Sequence, residues 1–369
     1  MHEFFNEQAQ EDSAAQEQEE LLDLNEVMRA FGVEDWTNLG PVESTHTENL
    51  SLLVDVQGQQ YVLRERPEGL LGEDQQHRYA FQRYLQQSGV PVPILRPALT
   101  GEPAAMFGED SFELQQWAGG EAFNTSDRRN LNWVESAGTM LGLIHQASQE
   151  YRGQQHSWPS EAHMGAVVQS YLNLARGKSD EIGILAVSSA LANWADQWEA
   201  ILPAAMMSLG AGKGSLPAFH IHGDYHALNL RFADAGVTAV MGLEASRWEK
   251  RIFEVAYALF YFSALQWNPG ESLTRPLVKR GFEPERARHF LQAYAEVYPP
   301  VRGEAALLGD ALSLVAPIAT INGPLEDLFY AQGELDAALI EDVMERLSWA
   351  ASLPAWLARV RRSLAEMWG

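Results

Sequence analysis

The sequence predicts an α+β chain in two unequal parts: a small N-terminal part of antiparallel strands with one helix, and a larger, mainly helical C-terminal part. Three observations predict it. Residues 49–56 and 61–66, NLSLLVDV and YVLRER, are β-rich runs around the turn signal Gln57-Gly58, the pattern of an antiparallel hairpin. From Asn130 onward the apolar residues recur at helical spacing over long stretches. One β-rich island, about Ala218 to Met241, interrupts those helices.

Taken in order, residues 1–20 are rich in Gln, Glu and Ala and have too few apolar residues to bury a face, so they read as an acidic flexible tail. Leu21, Leu24, Val27, Met28 and Phe31 then recur at helical spacing before the stop at Gly32. After the hairpin, residues 73–87 contain neither Gly nor Pro and end at Ser88-Gly89, which predicts a helix. Residues 90–93 and 111–120, separated by a Thr100-Gly101-Glu102-Pro103 turn, read as two further extended pieces and a Gly-rich connector. In LNWVESAGTMLGLIHQAS, residues 131–148, Val134, Leu141 and Ile144 fall near one face and open the helical part. His145, near the end of that helix, reads as a capping or packing residue. The organisation expected is a tail at 1–20, a small lobe at 21–113, a hinge at 114–120 and a helical lobe at 121–369.

Composition narrows the function. A chain of 369 residues with 46% hydrophobic residues can bury a large core, and it contains no continuous apolar run long enough to span a membrane. The N-terminal residues lack the basic flank and apolar stretch of a secretory signal, so a cytoplasmic location is expected. Without Cys there is no thiolate metal site, disulfide framework or Cys nucleophile. A formal net charge of -24 argues against a nucleic-acid partner and is compatible with a cationic substrate. Oligomeric state is not legible.

The densest chemistry lies at 218–232, AFHIHGDYHALNLRF. A carboxylate at Asp224 followed five residues later by Asn229 can accept the proton of an attacking hydroxyl with the first group and hold a phosphate-bridging metal with the second. A polar turn with an Asx cap is the plainer alternative. A third reading uses the alternation of His220, His222 and Asp224, which on one side of a strand could share a Zn²⁺, although no later residue motif completes such a set. The stretch GAGKGS at 210–215 fails the phosphate-loop spacing and reads as a loop.

His222 to Asn229, HGDYHALN, resembles the H-G-D-x-H-x-x-N signature of the aminoglycoside phosphotransferase and choline kinase-like superfamily. Further segments resemble that superfamily in its own order: YVLRERP at 61–67, SGVPVP at 88–93, FELQQWAGGEAF at 112–123 and AGTMLGLIH at 137–145. The resemblance implies a bilobal protein-kinase-like fold and a phosphotransferase that uses ATP and Mg²⁺ on a hydroxyl of a small molecule. It implies that Asp224 is the catalytic base, that His222 and His226 are the other catalytic residues of its loop, and that Asn229 is a metal ligand. It also implies that Arg64 contacts the nucleotide phosphates and that Gln115, Gln116 and Trp117 lie in the hinge that binds adenine.

Four departures accompany the resemblance. Gly242 stands where relatives carry the metal-binding Asp, and Glu244, on the same side if the strand continues, is the candidate substitute. Glu254 replaces the Asp of a D-L-A helix start. STHTEN, at 44–49, has no Gly to cover phosphates. Glu73 and Asp74 precede the position, near Arg78, where a Glu paired with the basic strand residue is expected. A catalytically impaired pseudokinase, keeping the fold as a binding or regulatory module, is therefore the alternative, and on sequence alone Gly242→Asp reads as a restoration.

Overall fold

The computed structural model describes residues 23–42, 50–66, 73–108, 110–153, 160–211, 216–267, 283–321, 323–331 and 335–369. The acidic tail, the segment at 44–49 and residues 212–215 of the GAGKGS stretch lie outside them. The chain divides into two compact units, one of Met1–Leu71 with Ile94–Trp117, the other of Gly72–Pro93 with Ala118–Gly369.

The first unit opens with α1, Leu24–Ala30, whose N-cap Asp23 accepts the Asn25 backbone N–H at 2.9 Å. Its sheet comprises β1 (Thr37–Pro41), β2 (Ser51–Val56), β3 (Gln59–Arg66), β4 (Leu95–Arg96), β5 (Ala105–Phe107) and β6 (Asp110–Gln116). The order is β1-β2-β3-β6-β4, with β5 also on β6, and every pairing is antiparallel. Alternation sorts the side chains into two faces. Leu52, Val54, Val56, Leu63, Phe112 and Leu114 join Val27 and Met28 of the helix and its C-cap Phe31 in the core, each large side chain worth roughly 1.5–3 kcal/mol when buried. Arg64, Arg66, Glu113 and Gln115 occupy the opposite face, with Arg64 directly across from Glu113. Two details differ from the sequence expectation. Residues 90–93 form no ladder and the strand lies at Leu95–Arg96, while β1 was not anticipated because its Gly and Pro are poor strand formers.

The second unit holds α2 (Glu73–Gln87), α3 (Asn130–Ser148), α4 (Ser160–Glu181), α5 (Leu185–Ala211), α6 (Arg251–Ser263), α7 (Pro284–Val297), α8 (Glu304–Ile321), α9 (Pro324–Tyr330), α10 (Ala337–Ala350) and α11 (Leu353–Trp368). Among them lie two antiparallel ribbons: β7 (Ala218–Ile221) with β10 (Arg247–Lys250), and β8 (Leu230–Ala233) with β9 (Gly236–Val240). The helix α6 is apolar on nearly every side, and twelve of its thirteen residues are buried, as expected of a helix at the centre of a core. The helix α8 is long and apolar enough to cross a membrane, with mean hydropathy 1.5, but 78% of it is buried inside the unit. That burial is what a core helix shows.

Candidate active site

The sharp turn between β7 and β8 carries the signature residues. Gly223 has φ 89°, and a Cβ there would run into the backbone carbonyl of Ala245. Only glycine fits this close approach. His222 is buried, its Nε2 donates to the Met241 carbonyl at 2.7 Å, and its Nδ1 accepts the Asp224 N–H at 3.2 Å. Both ring nitrogens are thus engaged in holding the turn, so His222 supports the loop. Arg247 Nη1 clamps the same turn from β10, donating to the carbonyls of Gly223 at 3.3 Å and Ala245 at 3.1 Å.

Three donors converge on the Asp224 carboxylate. Tyr257 Oη donates to Oδ1 at 2.6 Å, while Asn229 Nδ2 at 2.8 Å and His226 Nε2 at 3.1 Å face Oδ2. His226 Nδ1 accepts the Leu228 N–H at 3.2 Å, which leaves the ring proton on Nε2, directed at Asp224. Asn229 Nδ2 also donates to the Asp224 carbonyl at 2.8 Å, so the amide nitrogen is assigned and the amide oxygen remains an acceptor. Burial, and then the neighbouring Asp224 charge, raise the Tyr257 phenol well above its ordinary range, so it stays a donor. The result is an oriented carboxylate of the kind a general base requires.

Beneath the loop, a buried chain of hydrogen bonds runs in one direction. Arg251 Nη1 donates to Tyr294 Oη at 3.2 Å, Tyr294 Oη to His145 Nδ1 at 2.7 Å, and His145 Nε2 to Glu254 Oε2 at 2.7 Å. Glu254 in turn accepts the backbone N–H groups of His222 at 3.1 Å and Gly223 at 2.5 Å. Arg251 is also paired with Glu304, at 2.9 and 2.5 Å. Burial works to raise the Glu254 carboxyl, but His145 and the Gly223 N–H outweigh it and hold it below its ordinary range. Burial pulls His145 down, against the pull of Glu254. The pair is therefore neutral His145 donating to ionised Glu254, and the longer Glu254 side chain serves in place of the Asp expected at that helix start.

The metal side differs from the sequence expectation. Strand β9 ends at Val240, Gly242 adopts φ 76° and ψ 37°, and Leu243–Ala245 form a 3₁₀ turn. Strand alternation therefore does not direct Glu244, which is half-buried on that turn. Among the described residues no three His, Asp or Glu side chains come together as a metal site. Asn229 offers one amide oxygen and Gly242 offers no side chain, so these residues do not fit a resident metal centre. The Zn²⁺ alternative loses its premise, since β7 ends at Ile221 and His220 packs between the rings of Phe81 and Tyr151 at 4.9 and 5.3 Å.

The residues expected to contact nucleotide belong to the first unit. Arg64 is half-buried on β3, and Gln115 Nε2 donates to Glu113 Oε2 at 2.9 Å. The same oxygen pairs with the buried Arg66 at 2.5 Å. The backbone N–H groups of Gln116 and Trp117 donate to the carbonyls of Ile94 and Gln60, at 2.8 and 2.9 Å. Arg78, where a Glu was sought, is buried on α2 with its guanidinium 4.7 Å from the Tyr79 ring. Tyr257 and the Tyr294–Arg251–Glu304 extension were missed. Tyr257 lies three residues after Glu254, one helical turn on, and that spacing was the available signal.

The sequence profile of the phosphotransferase enzyme family matches residues 43–303, and the chain belongs to that family. No curated protein sequence matches the chain. Among solved structures, a microcompartment-associated aminopropanol kinase is 15% identical with a TM-score of 0.63, covering 93% of this chain and 98% of its own. An amicoumacin kinase in complex with AMP-PNP, Ca²⁺ and Ami is 16% identical with a TM-score of 0.60, over 96% of both chains. An aminoglycoside phosphotransferase from Alicyclobacillus acidocaldarius is 14% identical with a TM-score of 0.60, over 89% of this chain and 94% of its own. The fold is thus the α+β fold of kinase-like phosphotransferases, and the chain is a phosphotransferase of that family.

Proposed function

We propose that the protein transfers the γ-phosphoryl group of ATP to a hydroxyl of a small molecule, with Mg²⁺ entering as the counter-ion of the nucleotide. The observation that carries this reading is the Asp224 carboxylate, held at Oδ1 by Tyr257 and at Oδ2 by Asn229 and His226. Asp224 would orient the acceptor hydroxyl and take its proton as the new oxygen–phosphorus bond forms and the bond to the β-phosphate oxygen breaks. Asn229 Oδ1 and Glu244 are the protein oxygens on the metal side, and Arg64 with the segment Gln115, Gln116 and Trp117 is the nucleotide-contacting set. Neighbours named for aminopropanol, amicoumacin and aminoglycosides support a small-molecule acceptor. We place the reaction in the cytoplasm.

Gly242 favours a second reading, a catalytically impaired binding module. Calorimetric titration with ATP, with and without Mg²⁺, separates the two. The enzyme reading expects Mg²⁺-dependent binding that is lost in Asn229→Ala. Metal-independent binding that survives this substitution supports the module instead.

A further inference from the structure

Arg231 lies two residues beyond Asn229, on β8. Its neighbours Leu230 and Phe232 are fully buried in the core, so strand alternation turns Arg231 to the other side. There it rests against the Gly-rich segment that follows Ala118: a Cβ placed on Gly120 would stand 2.9 Å from the Cβ of Arg231.

The guanidinium is half-buried and, among the described residues, forms no hydrogen bond or ion pair. The nearby carboxylates of Glu121 and Asp234 are both held by Arg129, at 2.8 Å. In a chain with 50 acidic and 26 basic residues, acids to pair with are plentiful, yet among the described residues this cation pairs with none. Desolvating an unpaired guanidinium costs stability, a cost that a bound anion would offset. A planar guanidinium is also the side chain best shaped to take two phosphate oxygens at once.

We propose that Arg231 is a phosphate-binding residue, pairing with a phosphate group of the bound nucleotide and placing positive charge beside Asn229, where Gly242 withholds a metal-binding carboxylate. This rests on the nucleotide-using function proposed above and adds a residue to its binding site.

The test compares the full-length wild-type chain with Arg231→Gln and Arg231→Lys. Two quantities are measured: the melting temperature without ligand, and the affinities for ADP and inorganic tripolyphosphate. Arg231→Gln should melt at the same temperature or higher and lose about 10- to 100-fold in affinity for both probes, with Arg231→Lys in between. Unchanged affinities with a lowered melting temperature would assign Arg231 to packing by its apolar stem and overturn the proposal alone. Tripolyphosphate binding that depends on Arg231, without any binding of ADP or ATP, would keep the phosphate site and reject the nucleotide reading. Failure of the wild-type chain to bind either probe would reject both.

Discussion

The carboxamide of Asn229 stands in the space that a side chain at residue 242 would enter. A Cβ on Gly242 would lie 2.5 Å from Cγ and Nδ2 of Asn229 and 2.6 Å from its Oδ1. Gly242 also has φ 76°, a conformation that costs other residues about 1–2 kcal/mol. Gly242→Asp is therefore not a simple restoration, because it must displace Asn229 from its bonds to Asp224. We expect a loss of about 1–2 kcal/mol in denaturant unfolding and no gain in ATP turnover. A more active Gly242→Asp variant of unchanged stability would contradict this.

Tyr257→Phe keeps the ring that sits 4.5 Å from Tyr261 and removes the donor to Asp224 Oδ1. The expected result is a kcat about tenfold lower with KM for ATP unchanged, since one charge-assisted hydrogen bond that orients the base is lost. Steady-state kinetics decide it. A raised KM with kcat intact would move Tyr257 from the base to the binding site.

Arg251 and Glu304 form a fully buried ion pair. Arg251→Met leaves Glu304 charged and unpaired, and should cost about 3–5 kcal/mol in chemical denaturation. Arg251→Met with Glu304→Leu should recover most of that loss, because neither buried charge then remains. A double variant no better than the single one would show that the pair's value lies in its further bonds to Tyr294 and the Pro299 carbonyl.

Acid should weaken the fold through His145. Its folded value lies below the ordinary 6.5, so as pH falls below about 6.5 the unfolded chain takes up a proton that the folded chain refuses, and stability drops. Glu254, held below its ordinary 4.5, adds a contribution that is complete above that value and disappears as pH falls through its lower folded value. Between pH 7.5 and 5.5, about one unit either side of the histidine value, thermal unfolding of wild type should weaken more steeply than that of His145→Gln. Parallel slopes would show that His145 does not titrate with unfolding.

What the sequence revealed follows from how far apart the partners lie. Asp224 and Asn229 were legible because six residues of one turn carry both groups, and the hairpin because Gln57-Gly58 separates two alternating runs. The Tyr257 contact spans 33 residues, and the His145 contacts to Glu254 and Tyr294 span 109 and 149. No local spacing encodes such pairs. The alternation argument for Glu244 does not apply, because the strand ends at Val240 and Gly242 turns the chain into the left-handed region. Strand β10 escaped notice because RWEK is charged and runs straight into α6.

The role of Asp224 as the base is tested most directly by the rate of ATP turnover with Mg²⁺, measured for wild type and for Asp224→Asn. Slow but measurable turnover is expected in the wild-type protein even without the true acceptor, with a fall of at least about 100-fold on removing the base. Equal rates in the two proteins, or none in either, would contradict that role.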